Sequence, residues 1–303
     1  MSGNNDSDIS TDYSNNDSFT TEQNNLNAYL NSIRMLYIIG YFIICTLGLV
    51  LNFSVIIAGS YYHRNYDTGK WVLGLAGTHL ICSAFLPLQL LYSWNYFNWH
   101  YGTALCKVSS YIFYASLFST AGILTLWSVS NGIGKNKCTI FGHSSAVLIM
   151  ILCSWTFAAV LSIPSLYSRE LRMTFLGEQC IDDYDLNDEK TTKDGKRNLT
   201  IVVCYRFLVG ILIPAFLISI CYCCERSYKE CKNEKQITCL VKVSFFVCWT
   251  PLLLMGLLQL NNHANVTGLS VATVLAAAHC CVNPVIYLLM SRDIKMNWIN
   301  PTQ

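Results

Sequence analysis

The chain has 303 residues, 53% hydrophobic and only 13% charged, with a formal net charge of +2. Soluble domains carry about 25% charged residues, so this composition excludes an ordinary soluble protein and points to a membrane. Most of the 15 cysteines sit inside apolar runs, where they act as small apolar side chains, and no C-x-x-C pair with metal-site spacing occurs. No metal, cofactor or nucleic-acid partner is called for.

In chain order, residues 1–34 read as a disordered extracellular tail, polar and rich in Asn, Ser and Asp, without the apolar core of a signal peptide. Seven apolar segments follow, near 35–62, 71–93, 103–131, 144–167, 200–225, 237–260 and 269–290. Each is long enough to cross a bilayer as a helix, for which roughly 20 residues suffice. The third, CKVSSYIFYASLFSTAGILTLWSVSNG from Cys106, has no charge after Lys107. The joints are short and polar except 168–198, which is long and charged. Residues 291–303 form a short cytosolic tail whose first part reads as an amphipathic helix. The fold class is an all-α seven-helix membrane bundle over 35–290.

Two signals set the orientation. One set of joints, with the C-terminal tail, carries eleven Lys and Arg against five acids, and the opposite side eight against thirteen; basic loops stay cytosolic. The N-x-[ST] sequons at Asn5, Asn16, Asn198 and Asn265 all fall on the acidic side, as lumenal glycosylation requires. The N-terminus is therefore expected outside and the C-terminus in the cytosol, in the plasma membrane.

The segments carry landmarks in a fixed order: Asn52; Leu75-Ala76 and Pro87; Trp99, Gly102 and Cys106-Lys107; Trp155 and Pro164; Arg206, Pro214 and Tyr222; FFVCWTP with Phe245, Trp249 and Pro251; NPVIY with Asn283, Pro284 and Tyr287. In this the chain resembles rhodopsin-like (class A) G-protein-coupled receptors over nearly its whole length. Trp99…Cys106-Lys107, Arg206-Phe207 before Pro214, PSLYSRELRMTFLGEQCIDDY and NPVIYLLMSRDIK resemble the chemoattractant branch of formyl-peptide, anaphylatoxin, chemerin and chemokine receptors, as a divergent or virus-encoded member.

The resemblance implies a Cys106–Cys180 disulfide on the oxidising side and a ligand cavity between the third, fifth, sixth and seventh helices. Its expected lining is Trp94, Tyr111, Tyr114, Arg206 and Gln259, with Trp249 as floor and switch; Trp249 is equally a core aromatic beside a kink. Arg206, a charge within a span, either faces the cavity, where it meets an anionic group such as a peptide carboxylate, or snorkels outward. Asp182 and Asp183, with the acidic tail, would attract a basic peptide or small protein such as a chemokine; the tail also fits a solvated disordered segment. Tyr13 and Tyr184, beside acids, match sulfation sites. Proline within the spans, including Pro164, is expected to kink them.

Three departures from the family bear on signalling. The Asp-Arg-Tyr or Asp-Arg-Cys end of the third helix is Ser130-Asn131-Gly132. The sodium-binding Asp is His79, with His279 and Cys280 expected near the same level beside Thr120 and Asn283; two His and a Cys are soft-metal ligand types, but a neutral hydrogen-bonded core is expected. The tail offers Ser291 and Thr302 alone for phosphorylation. The function expected is a chemoattractant-type receptor with weakened coupling to heterotrimeric G proteins. Full conventional signalling through Tyr222, Trp249, Asn283, Pro284 and Tyr287 is one alternative. A scavenging, decoy or heterodimerising receptor is another. No Lys lies in 269–290 to hold retinal, and no Ser-His or His/Asp arrangement makes an enzyme.

Overall fold

The computed structural model describes residues 8–62, 67–133, 144–174, 177–183, 193–225, 232–261 and 266–299, the side chains of 8–20, 60–62, 67, 133, 144, 193, 223–225, 232–235 and 288–299 excepted. The helices are α1 (Asp8–Tyr62), α2 (Asp67–Trp94), α3 (Gly102–Ile133), α4 (Ser144–Leu161), a short α5 (Pro164–Ser168), α6 (Lys193–Phe207), α7 (Ile213–Glu225), α8 (Lys232–Gln259) and α9 (Val266–Ile299). A hairpin of β1 (Arg169–Thr174) and β2 (Gly177–Asp182) separates α5 from α6, and a π-helical turn, Leu208–Leu212, joins α6 to α7. Seven stretches are long and apolar enough to span a membrane: Thr21–Gly59, Thr68–Trp94, Gly102–Gly132, Ser145–Ser168, Asp194–Tyr222, Gln236–Gln259 and Val266–Tyr287. Large apolar side chains such as Phe42, Phe157, Val160 and Phe216 are exposed on the outside of the bundle. Lipid, not water, is the solvent that suits them, and helices are the form in which lipid-facing backbone keeps its hydrogen bonds.

Two expectations at the ends differ from the structure. The sequence predicts disorder over 1–34, yet α1 is helical from Asp8. An Asn- and Ser-rich segment has little helix propensity, but it extends an existing helix and so avoids the cost of nucleation. Tyr29 fastens the extension, its hydroxyl 2.7 Å from Thr267 Oγ1 of α9. At the other end α9 runs unbroken to Ile299, so 291–299 prolong the seventh span and do not form a separate eighth helix; no proline or glycine there interrupts the backbone pattern.

The spans pack around an aromatic core. Trp71 and Trp127 stack at 6.3 Å between α2 and α3, a pairing worth about 1 kcal/mol beyond its burial. Phe245, Trp249, Leu117 and Leu124 are fully buried beside them. Prolines act in two ways. Pro87, Pro251 and Pro284 lie inside helices. Pro164 instead opens α5, after α4 ends at Leu161, a first-turn position where its missing N–H costs nothing. The π turn precedes Pro214 and buries Gly210, where an added Cβ would stand 3.1 Å from Leu117 Cδ2.

The hairpin pairs Leu171 with Cys180 and Arg169 with Asp182. Cys180 is bonded to Cys106 of α3, S–S 2.05 Å, and both pack against buried Trp99. Trp99 N donates to Glu178 O at 2.7 Å, and Glu178 N donates to Asn98 Oδ1 at 3.1 Å. Tyr96 and Phe97 hold positive φ, 56° and 60°, a strained conformation for aromatic residues. Packing maintains it: Arg34 lies 3.8 Å over the Tyr96 ring, and Phe97 meets Tyr37 and Tyr92 edge to face. The disulfide spans 74 residues. Because the spanning helices already confine that loop, Cys180→Ser should cost about 2 kcal/mol, below the chain-entropy value for an untethered loop of this length. A lower unfolding temperature and loss of hairpin amide protection check this.

Candidate functional site

At the hairpin end the helices splay around a cavity of about 660 Å³. Its walls come from α1, α2, α3, the hairpin, α6, α8 and α9, a wider set than the four helices expected from sequence; Tyr37, Tyr41, Leu86, Gln89 and Tyr92 are the added contributions of the first two spans.

Among the described residues the cavity's charged ones are Arg169, Asp182 and Arg206. Arg206 stands one residue before the end of α6, and the π turn follows it. Of the two orientations open in the sequence, the structure has the inward one: Arg206 is 5% exposed. Its guanidinium carbon lies 3.6 Å from the centre of the Tyr114 ring, a cation–π contact. One Nη donates to Ser165 Oγ at 3.0 Å, and the other lies 3.8 Å from Asp182 Oδ2. Asp182 Oδ1 is 3.5 Å from Arg169 Nε and accepts from Ser168 Oγ at 3.4 Å. One carboxylate thus lies between two guanidinium groups, that of Arg169 set opposite it by the hairpin register and that of Arg206 brought by α6. Tyr205, next to Arg206, donates its hydroxyl to Leu161 O and ties α6 to the end of α4.

The predicted lining separates in the structure. Tyr114, Asp182, Arg206 and Gln259 line the cavity. Tyr111 does not: its hydroxyl donates to Ala159 O at 3.1 Å, toward α4. Trp94 does not: it is 64% exposed and borders an outer apolar groove with Ile38, Phe42 and Leu90. Asp183 is held by Arg172, Nε to Oδ2 2.6 Å. Trp249 is fully buried under Phe113, ring centres 4.9 Å apart, so Phe113 is the exposed surface of the floor. Arg169, Ser165, Phe113 and Gln89 are missed from sequence. Arg169 had a visible signal, a basic residue thirteen before Asp182 across a turn containing Gly177, but only the strand register pairs them.

Deeper in the bundle Thr120 and His279 stand beside His79, while Asn283 bonds Ser244. His79 and His279 are both 0% exposed, with rings perpendicular and 4.8 Å apart. His79 Nε2 is 3.3 Å from Thr120 Oγ1, and Asn283 Oδ1 accepts from Ser244 Oγ at 3.2 Å. Asn52 donates to Gly48 O and Cys280 O, both 2.7 Å. Among the described residues no three His, Cys, Asp or Glu gather as metal ligands.

At the opposite end Ser130 and Asn131 are half-buried near the end of α3, and Gly132 faces Cys221 of α7. Tyr222 is 65% exposed on the outside of the bundle, while the Tyr287 hydroxyl is buried. These two tyrosines, grouped by the family motif, point to different surroundings. Of the sequons, Asn198 lies half-buried within α6; Asn5 and Asn265, the Asn16 side chain, and the tyrosines 13 and 184 lie outside the described residues and side chains.

The 7 transmembrane receptor (rhodopsin family) profile matches residues 51–287. Human Chemerin-like receptor 1 is 28% identical over 291 residues, covering 86% of this chain and 76% of the relative. The Sus scrofa Chemerin-like receptor 1 is 28% identical over 286 residues (87% and 79%), and human Chemerin-like receptor 2 is 28% identical over 283 (88% and 79%). With seven spans, the disulfide-anchored hairpin and a cavity at that end, the chain belongs to the rhodopsin-like, class A G-protein-coupled receptors, in their chemoattractant branch.

Proposed function

We propose that this is a cell-surface receptor with its N-terminus outside and its C-terminus in the cytosol. It binds a peptide or small protein in the hairpin-end cavity and couples weakly to heterotrimeric G proteins. The observation that carries the binding half is Arg206. A guanidinium 5% exposed, within a spanning segment and on a cavity wall, is costly to bury without a function, and its planar fork suits a carboxylate. The relatives named chemerin-like receptors make chemerin the first protein to test.

The weak-coupling half rests on chemistry at the other end. Asn131 and Ser130 stand where the family carries a charged pair. Asn131 has neither the charge nor the reach to make the family's charge-assisted contact with the G protein. His79 offers no anion for sodium in either protonation state, since an imidazole is neutral and an imidazolium repels the cation. In the proposed mechanism a ligand's anionic end engages Arg206 and presses on Phe113, which lies on Trp249; the movement reaches a cytosolic end with little to offer the G protein.

The test measures binding of chemerin and of carboxy-terminal peptides beside nucleotide exchange on G proteins, with the chain in membranes. Binding with little exchange is expected. Strong exchange by the unmodified chain would sink the weak-coupling reading, and absence of any peptide or protein ligand the binding half. A second measurement addresses His79. Ligand affinity should be the same in sodium and choline buffers, whereas His79→Asp should make affinity fall as sodium rises. Sodium dependence of the unmodified chain would count against the altered site.

A further inference from the structure

We infer that Asp182 is the receptor's own counter-anion to Arg206, a specificity-determining carboxylate that an incoming anionic group must displace. This rests on the reading that Arg206 receives the ligand's anionic end.

The geometry has three parts. Asp182 lies between Arg206 (3.8 Å) and Arg169 (3.5 Å). It closes the hairpin, two residues after the disulfide-bonded Cys180, so its backbone is anchored to α3. Ser168 Oγ donates to the same oxygen that faces Arg169. The carboxylate can therefore leave Arg206 without losing all its partners. When a ligand carboxylate takes its place, Asp182 stays with Arg169 and Ser168, and no buried charge is left uncompensated. Both Asp182 contacts are longer than the 2.7–2.9 Å typical of tight charge-assisted pairs, which fits a counter-charge that yields. Arg206 keeps its direction throughout, held by Ser165 and the Tyr114 ring.

Charge counting gives the selectivity. Among the described residues the charged lining of the cavity is two cations and one anion, a net +1 that one negative ligand group neutralises. Without Asp182 this described lining is more positive by one charge, binds every anionic end more tightly and gains most for doubly charged ends. Asp182 thus restricts the site to ligands whose other contacts contribute enough to displace it.

The test uses the full chain in lipid nanodiscs and short random-sequence synthetic peptides in two forms, free carboxylate and carboxamide, with retention read by mass spectrometry. Asp182→Asn, nearly isosteric, should raise retention of the acids about tenfold, the worth of a hydrogen bond to a charged group, and leave the amides unchanged. Acids ending in aspartate should gain more. Glu170→Gln is the control: that carboxylate pairs with Lys107 of α3 and with Arg172 of its own strand, outside the cavity lining. Asp182→Ser serves if Asp182→Asn folds poorly, and unfolding temperature identifies that case. If acids are preferred and Arg206→Ala removes the preference, but neither Asp182 variant raises it, the counter-anion role is wrong while Arg206 stands. If the unmodified chain treats acids and amides alike and Arg206→Ala changes nothing, the Arg206 reading fails and this inference with it.

Discussion

Ser130→Asp with Asn131→Arg should raise ligand-stimulated nucleotide exchange about tenfold, without changing ligand affinity measured in the absence of G protein. The unmodified pair is half-buried near the end of α3, so new side chains there reach the surface at the end of the bundle away from the hairpin without entering the core. An arginine restores a fork of donors that asparagine lacks. A hydrogen bond to a charged group is worth about 1.5–3 kcal/mol, which is tenfold or more in an equilibrium. The aspartate neutralises the new cation and holds it while no G protein is bound, so basal exchange should rise less than stimulated exchange. Asn131→Arg alone should raise both. The neighbouring Gly132 limits the recovery: glycine in a helix costs about 1 kcal/mol relative to alanine, although a Cβ there would meet Cys221 at an ordinary 3.8 Å. If the double variant binds ligand but exchange stays at the level of the unmodified chain, the defect lies elsewhere, with His79 the next residue to change.

Arg206→Ala should weaken a carboxylate-ended peptide about a hundredfold and leave its carboxamide almost unaffected. Truncating one partner of a buried charged contact costs roughly 2–5 kcal/mol, and a hundredfold lies within that range. Arg206 also has a structural share, since it holds Ser165 and lies over Tyr114. The amide peptide separates the two: a structural collapse weakens both forms, a lost carboxylate contact only the acid. Arg206→Lys should fall between, retaining charge but losing the planar fork and much of the stacking. Equal losses for acid and amide would remove Arg206 from the ligand's contacts.

Tyr111 and Tyr114 show where sequence reasoning ends. They sit on one helix three residues apart, and both were reasonable cavity residues. Tyr114 lies beneath Arg206, while Tyr111 reaches Ala159. In water a polar face would mark the outside of such a helix. In lipid the outside is apolar too, and periodicity no longer separates core, lipid and cavity. Trp94 stands outside the cavity lining for the same reason: an aromatic at a helix end suits the membrane interface as well as a ligand site.

The sequence by itself determined seven spans and the family, and that resemblance implied Cys180 as the partner of Cys106, which the structure pairs. Span length is set by bilayer thickness, and landmarks such as NPVIY and FFVCWTP are local in the chain. It also revealed Arg206 as the exceptional charge, because burial in lipid makes any such charge exceptional. Only the tertiary structure decided what surrounds that charge. The hairpin register sets Asp182 opposite Arg169, and the π turn and α5 bring Arg206 and Ser165 to the same place. These contacts join residues 165, 169, 182 and 206 through a strand pairing whose weak alternation, RELRMT, does not identify it. A charge's presence is read residue by residue; its counter-charge depends on distances that only the folded chain fixes.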